Sequence, residues 1–253
     1  MRRWLLLLLA FAPWGTRAEL PETVTRIKPS VVAVGTYLPT RNPQFKFYGT
    51  GFAVGDGRLI ATNAHVVSTV LESGELERWA IALPFEAERI EVRVVELAAR
   101  DVTHDVALLR QRGAPLPALT LRGGEASVRE GESLGFTGYP IGAVLGLFPV
   151  THRAMVSALS PIALPHSEAK TLSPKDIRRL ANEPWPVIQL DATAYPGSSG
   201  SPLYDPVTGE VVGVINMVFV KGSREAALSQ PSGITFAVPV GHLKRLLKAA
   251  PGG

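Results

Sequence analysis

The sequence predicts an all-β protein, built as a sandwich or as barrels. About a dozen short apolar stretches are separated by Gly, Pro, Asp and Asn, while only two segments read as helices. The 253 residues include 24 glycines and 21 prolines, the composition of a chain that turns often. At 46% hydrophobic and 19% charged, the chain can bury a substantial core and is unlike a disordered one.

Residues 1–18 have the three-part plan of an export signal. Arg2 and Arg3 precede an apolar run from Trp4 to Ala12, and small residues flank Arg17 in Thr16-Arg17-Ala18. The run is about half of the ~20 residues a membrane-spanning helix needs, so no stable membrane insertion is expected after cleavage. Removing Arg2, Arg3 and Arg17 leaves 26 − 3 = 23 basic against 22 acidic residues. The net charge of +4 therefore does not indicate a nucleic-acid partner. Cysteine is absent, which excludes disulfides, thiol catalysis and thiolate metal sites and agrees with bacterial export.

Val31 to Val34 reads as a buried strand, and Gly51-Phe52-Ala53-Val54 with Arg58 to Thr62 reads as a hairpin around Gly55-Asp56-Gly57. Ile90 to Val94 alternates apolar with charged, as a half-exposed strand does. Further strands are expected at Val106–Leu109, Ser133–Phe136, Met155–Leu159, Val187–Leu190, Val211–Ile215 and Ile234–Val238. Helices are expected at Ser173–Asn182, which opens with a cap and an early proline, and at Val240–Ala250. The second helix, with Lys244, Arg245 and Lys248 beside Leu246 and Leu247, is amphipathic and is expected to pack on the carboxyl-terminal half. A boundary near Arg122-Gly123-Gly124 divides the mature chain into residues 19–122 and 123–253.

Three segments carry chemistry. Ala61-Thr62-Asn63-Ala64-His65 sets a histidine after a strand, and His104-Asp105-Val106-Ala107-Leu108-Leu109 sets an aspartate before one. Pro196-Gly197-Ser198-Ser199-Gly200-Ser201 sets a serine in a glycine-flanked turn. Each alone is ordinary loop or core composition. Together, His65, Asp105 and Ser199 supply a base, a carboxylate that fixes its tautomer, and a nucleophile. Their order is that of chymotrypsin-like enzymes, as are the separations of 40 and 94 residues. Glycines at 197 and 200 let the backbone turn so that the N–H groups of Gly197 and Ser199 can form an oxyanion hole.

At these residues the sequence resembles the trypsin-like serine proteases, closest to the bacterial HtrA/Deg branch. Ile27-Lys28-Pro29-Ser30-Val31-Val32 is similar to that branch's opening strand, and Gly49-Thr50-Gly51-Phe52 to the strand leading to its histidine. Arg100-Asp101, Tyr139-Pro140-Ile141-Gly142, Val156 to Leu159, Gly213 to Asn216 and Gly233 to Pro239 extend the likeness over most of the mature chain. The resemblance implies two antiparallel six-stranded barrels with a carboxyl-terminal helix and a catalytic cleft between the barrels. It implies protein or peptide substrates, no cofactor, and a bacterial periplasmic or extracellular location; His152, His166 and His242 lack ligand spacing, so no metal is expected. The chain ends soon after its last helix, which leaves no room for the PDZ domains that relatives append. The aromatic segment that trimerises some relatives is not evident between Glu19 and Val31, so the oligomeric state stays open.

The departures bear on specificity. Ser198 and Ser201 stand where the family usually has Asn and Gly. Thr193, six residues before the serine, replaces the acid that would bind Arg or Lys, and no histidine follows in Val214-Ile215-Asn216-Met217 to favour glutamate. Thr193, Ile215, Asn216, Met217, Ile234 and Phe236 are expected to form a mostly apolar pocket for a small or medium aliphatic side chain. The reading is an exported serine endopeptidase. The alternative is a latent or inactive relative that binds unfolded or partner proteins without cutting them. Residues 161–186 form an insert longer than usual in relatives.

Overall fold

Val31 to Val34 are all buried, although alternate side chains of a strand point to opposite faces. Both faces must therefore be covered. In the computed structural model, which describes residues 20–68, 71, 76–84, 90–123, 128–142, 146–161, 185–216 and 233–250, they are. Strands β1 (Val31–Tyr37), β2 (Phe45–Val54), β3 (Leu59–Thr62), β4 (Arg78–Pro84), β5 (Ile90–Asp101) and β6 (Val106–Gln111) close a barrel in the order β1-β2-β3-β6-β5-β4. Strands β7 (Ser133–Gly138), β8 (Val150–Pro161), β9 (Pro186–Asp191), β10 (Pro202–Tyr204), β11 (Val211–Asn216) and β12 (Ile234–Pro239) close a second, in the order β10-β11-β12-β9-β8-β7. Every pairing is antiparallel. This is the double barrel of chymotrypsin-like proteins.

Three apolar cores follow from the alternation. Val32 and Val34 point into the first barrel with Ala53, Ile60, Ile81, Val95 and Leu109. Leu134, Phe136, Val156, Leu190, Leu203, Ile215 and Ala237 fill the second. Val31 and Ala33 face a third core at the seam, shared with Tyr139, Tyr204, Val214, Val238 and Leu243. A seam lined by both barrels is what makes the buried strands read as unbroken apolar runs. The Tyr139 hydroxyl crosses it to donate to the Val31 carbonyl at 3.1 Å.

Helix α1 (Leu20–Ile27) was not expected, yet Pro21 and Glu22 in its first turn and Arg26 in its last suit a helix. It buries Thr23 and Ile27 and reaches the Val207 carbonyl through Arg26. Strands β4 and β10 were also missed: Ala80 and Ala82 turn a barrel strand into a pattern with helical propensity, and β10 has three residues. The carboxyl-terminal helix α2 (Val240–Ala249) packs on the second barrel as expected, and on the first as well. It lies across both barrels, against β5 and β6 as well as β11 and β12. Lys244 Nζ also donates to the Arg122 carbonyl in the segment joining the barrels, at 3.1 Å. The helix expected at Ser173–Asn182 and most of the insert lie outside the described residues. Among the described residues, no helix is long and apolar enough to cross a membrane.

Candidate active site

The turn after β3 carries His65 to the rim of the first barrel, its side chain 31% exposed. Its backbone N–H donates to Asp105 Oδ1 at 2.8 Å, and ring Nδ1 meets Asp105 Oδ2 at 2.6 Å. Facing a carboxylate, Nδ1 carries the proton, which leaves Nε2 as the basic nitrogen.

Asp105 sits at the mouth of β6 with φ of +53°, a left-handed conformation that Asp tolerates better than most residues. Asn63 Nδ2 donates to its carbonyl at 2.9 Å. The approach to it is a turn. Asp101 Oδ1 accepts the N–H groups of Thr103 and His104 at 3.0 and 3.1 Å, and its Oδ2 meets His104 Nδ1 at 2.6 Å. Burial raises the Asp101 pKa, but the hydrogen bonds and charge of His104, with the Thr103 N–H, outweigh that and lower it. His104 is thus committed to Asp101.

Ser199 comes from the second barrel. Tyr195 to Ser198 form a turn in which the Ser198 N–H donates to the Tyr195 carbonyl at 2.9 Å. Pro196 takes its second position and Gly197, at φ of +100°, its third, as a type II turn requires. The Pro196 carbonyl accepts the Ile141 N–H at 2.8 Å. The carbonyl and N–H of one trans peptide point opposite ways, so the Gly197 N–H is directed away from Ile141. Thr50 of β2 grips the turn from the first barrel. Its Oγ1 donates to the Gly197 carbonyl at 2.8 Å and accepts the Tyr139 N–H at 3.0 Å, while its N–H donates to the Ser199 carbonyl at 2.8 Å. Gly200, at φ of +88°, packs so closely on the Thr50 carbonyl that no Cβ fits. Ser198 and Ser201, the two departures from the family pattern, bury hydroxyls that have no hydrogen-bond partner among the described residues.

Asn216 is the residue the sequence misassigned. It was expected in the specificity pocket, but it is fully buried at the end of β11 and its Nδ2 donates to Asp105 Oδ2 at 2.5 Å. Ile215 is also removed from the pocket, because its side chain fills the interior of the second barrel. A lone Asn ending the apolar run from Val211 was the signal that a buried polar partner existed. Thr193 and Phe236 are half-buried and Ile234 is exposed, while Met217 lies outside the described residues. Among the described residues, no three His, Asp or Glu side chains are grouped to hold a metal.

A histidine hydrogen-bonded to a buried carboxylate is carried by the first barrel, and a serine in a glycine-flanked turn by the second. The family profile of the trypsin-like peptidase domain matches residues 49–214, a span that contains all three. The chain belongs to the trypsin-like peptidase family. Its relatives place this peptidase domain on the HtrA branch. It is 28% identical over 201 residues to a probable periplasmic serine endoprotease, DegP-like, of Pseudomonas fluorescens, covering 79% of this chain and 34% of that protein. It is 30% identical over 255 residues to the mitochondrial serine protease HTRA2 of Bos taurus, covering 94% of this chain and 45% of that one. The chain thus spans a third to under half the length of these relatives. The crystal structure of a serine endoprotease from Yersinia pestis shares the fold with a TM-score of 0.62 and 21% identity, over 92% of this chain and 66% of that one.

Proposed function

We propose that the protein is an exported serine endopeptidase that cuts protein substrates through His65, Asp105 and Ser199. The observation that carries the reading is the His65 Nδ1 contact with Asp105 Oδ2 at 2.6 Å, which leaves Nε2 to take the serine proton. Ser199 Oγ attacks the peptide carbonyl and His65 Nε2 accepts its proton. The imidazolium is stabilised by Asp105 and then protonates the leaving amine. Water repeats the sequence to release the acyl group. The N–H groups of Gly197 and Ser199 hold the oxyanion, and the Ile141 contact with the Pro196 carbonyl favours an open hole. Each such donor contributes roughly 10²–10³ in rate.

Thr193, Ile234 and Phe236 line the pocket for the residue before the cut, which is small or medium and aliphatic. The DegP-like relatives are named as periplasmic, and with the basic and apolar plan of residues 1–18 this supports export to the periplasm. The test is labelling with a fluorophosphonate, read by intact mass, beside Ser199→Ala. One adduct that maps to Ser199 and is missing from the variant is the expected result. A folded protein that takes no adduct and does not cut casein would overturn the reading.

A further inference from the structure

A second histidine cluster adjoins the catalytic turn. His104, held by Asp101, lies with its ring centroid 3.9 Å from that of His242 on α2, and Trp185 closes over both at 5.3 and 4.6 Å. Arg245, one turn further along α2, approaches His242 Nδ1 with Nη2 at 2.7 Å. A guanidinium only donates, so Nδ1 must be the acceptor and the ring proton sits on Nε2. A second proton can therefore enter only at Nδ1, where the Arg245 N–H already is. The ring would then be a buried cation between Arg245 and His104.

We infer that His242 is a positioning residue for Asp105. Its neutral ring clamps the Asp101–His104 turn beneath helix α2, and protonation releases the clamp and slackens the catalytic aspartate. The inference rests on the protease reading for its consequence in catalysis. The charges acting on His242 are His104 and Asp101 from the β5–β6 turn and Arg245 from its own helix. The strands β11 and β12 that also flank α2 carry no titratable residue. With burial, His104 and Arg245 disfavour the charged ring, and Asp101 opposes them too weakly to restore it. Asp105 needs such support because its left-handed backbone is sustained only by its surroundings.

The test measures fluorophosphonate labelling of the full chain from pH 8 to pH 4. Wild type is compared with His242→Phe and Arg245→Met, each normalised to its own rate at pH 8. In parallel, amide exchange of residues 101–105 and 240–249 is followed, corrected for the intrinsic rate. Protonation of a single essential base lowers labelling by at most tenfold per pH unit. A clamp that opens with a second proton makes the wild-type limb steeper than tenfold and exposes both segments together. His242→Phe, which keeps a ring in the stack but cannot titrate, returns the limb to tenfold. Arg245→Met, which removes a cation beside the ring, makes the charged ring less costly in the closed clamp and brings the limb closer to tenfold. A wild-type limb of tenfold throughout, or exchange in 240–249 that does not depend on pH, overturns the inference. Absence of labelling at pH 8 overturns the protease reading instead, and the exchange arm still tests the clamp.

Discussion

Asn216 and His65 meet on one atom: Asp105 Oδ2 receives Asn216 Nδ2 at 2.5 Å and His65 Nδ1 at 2.6 Å. The two donors come from different barrels, so the carboxylate is oriented only when the barrels are docked. A buried carboxylate with its second oxygen on the His65 N–H has little freedom left. The amide also fixes which oxygen of Asp105 faces the His65 ring.

Asn216→Ala removes a hydrogen bond to a charged group, worth about 1.5–3 kcal/mol. A fall in kcat/KM of roughly 10- to 100-fold is expected, with kcat carrying most of it. Asn216→Ser, which restores a donor, should recover part of the loss; a kcat/KM unchanged in the alanine variant would show that Asp105 is held without it.

Thr50→Val keeps the volume and deletes the hydroxyl that links the Gly197 carbonyl to the Tyr139 N–H. Both partners are then buried and unpaired, at a cost of about 1–3 kcal/mol each. We expect a lower urea midpoint together with a larger drop in kcat than in KM, because the serine turn loses its grip on the first barrel. Equal effects on a peptide ester and on its amide would place the loss in the shared acylation geometry.

Gly200→Ala should be the most damaging single-methyl change in the site. The added Cβ would meet the Thr50 carbonyl and Thr62 Oγ1, and φ of +88° is strained for any side chain. Soluble protein should fall sharply, and any that folds should take no fluorophosphonate. Gly123→Ala, whose Cβ would meet nothing within 4 Å, is the control.

Stability should depend on pH through His242. Burial, then the charges of His104 and Arg245, depress its pKa from 6.5 to about 3. Between those values the unfolded chain binds the proton and the folded one does not. Stability from this residue is therefore present above about pH 6.5 and lost as pH falls toward 3, by up to about 1.4 kcal/mol per pH unit. Urea midpoints at pH 7.5, 6 and 5 should decline in wild type and flatten in His242→Phe.

The strands legible in the sequence were those whose side chains are β-branched or large, such as Val31 to Val34 and Val211 to Ile215. Observed strands extend beyond them, as β5 does to Asp101, because ladder pairing with β4 and β6 holds polar residues that no pattern marks. The proposed trio stands out in the sequence because the chemistry proposed for it needs particular residue types in particular local settings: a histidine after a strand, an aspartate before one, a serine between glycines.

What the sequence by itself determined is the set of chemical groups and the strongly patterned elements that can carry them. Local propensity and alternation act over a few residues, and those are written along the chain. The tertiary structure alone decided what each polar group faces. Asn216 was assigned to substrate because its strand lies beside the specificity pocket in the family it resembles, yet docking the barrels turns its amide onto Asp105, 111 residues away. Helix α2 was assigned to one barrel, but the seam places it across two and stacks His242 on His104. Such pairings arise from contacts remote in sequence, where the burial of one surface chooses the partner, and no local rule encodes that choice.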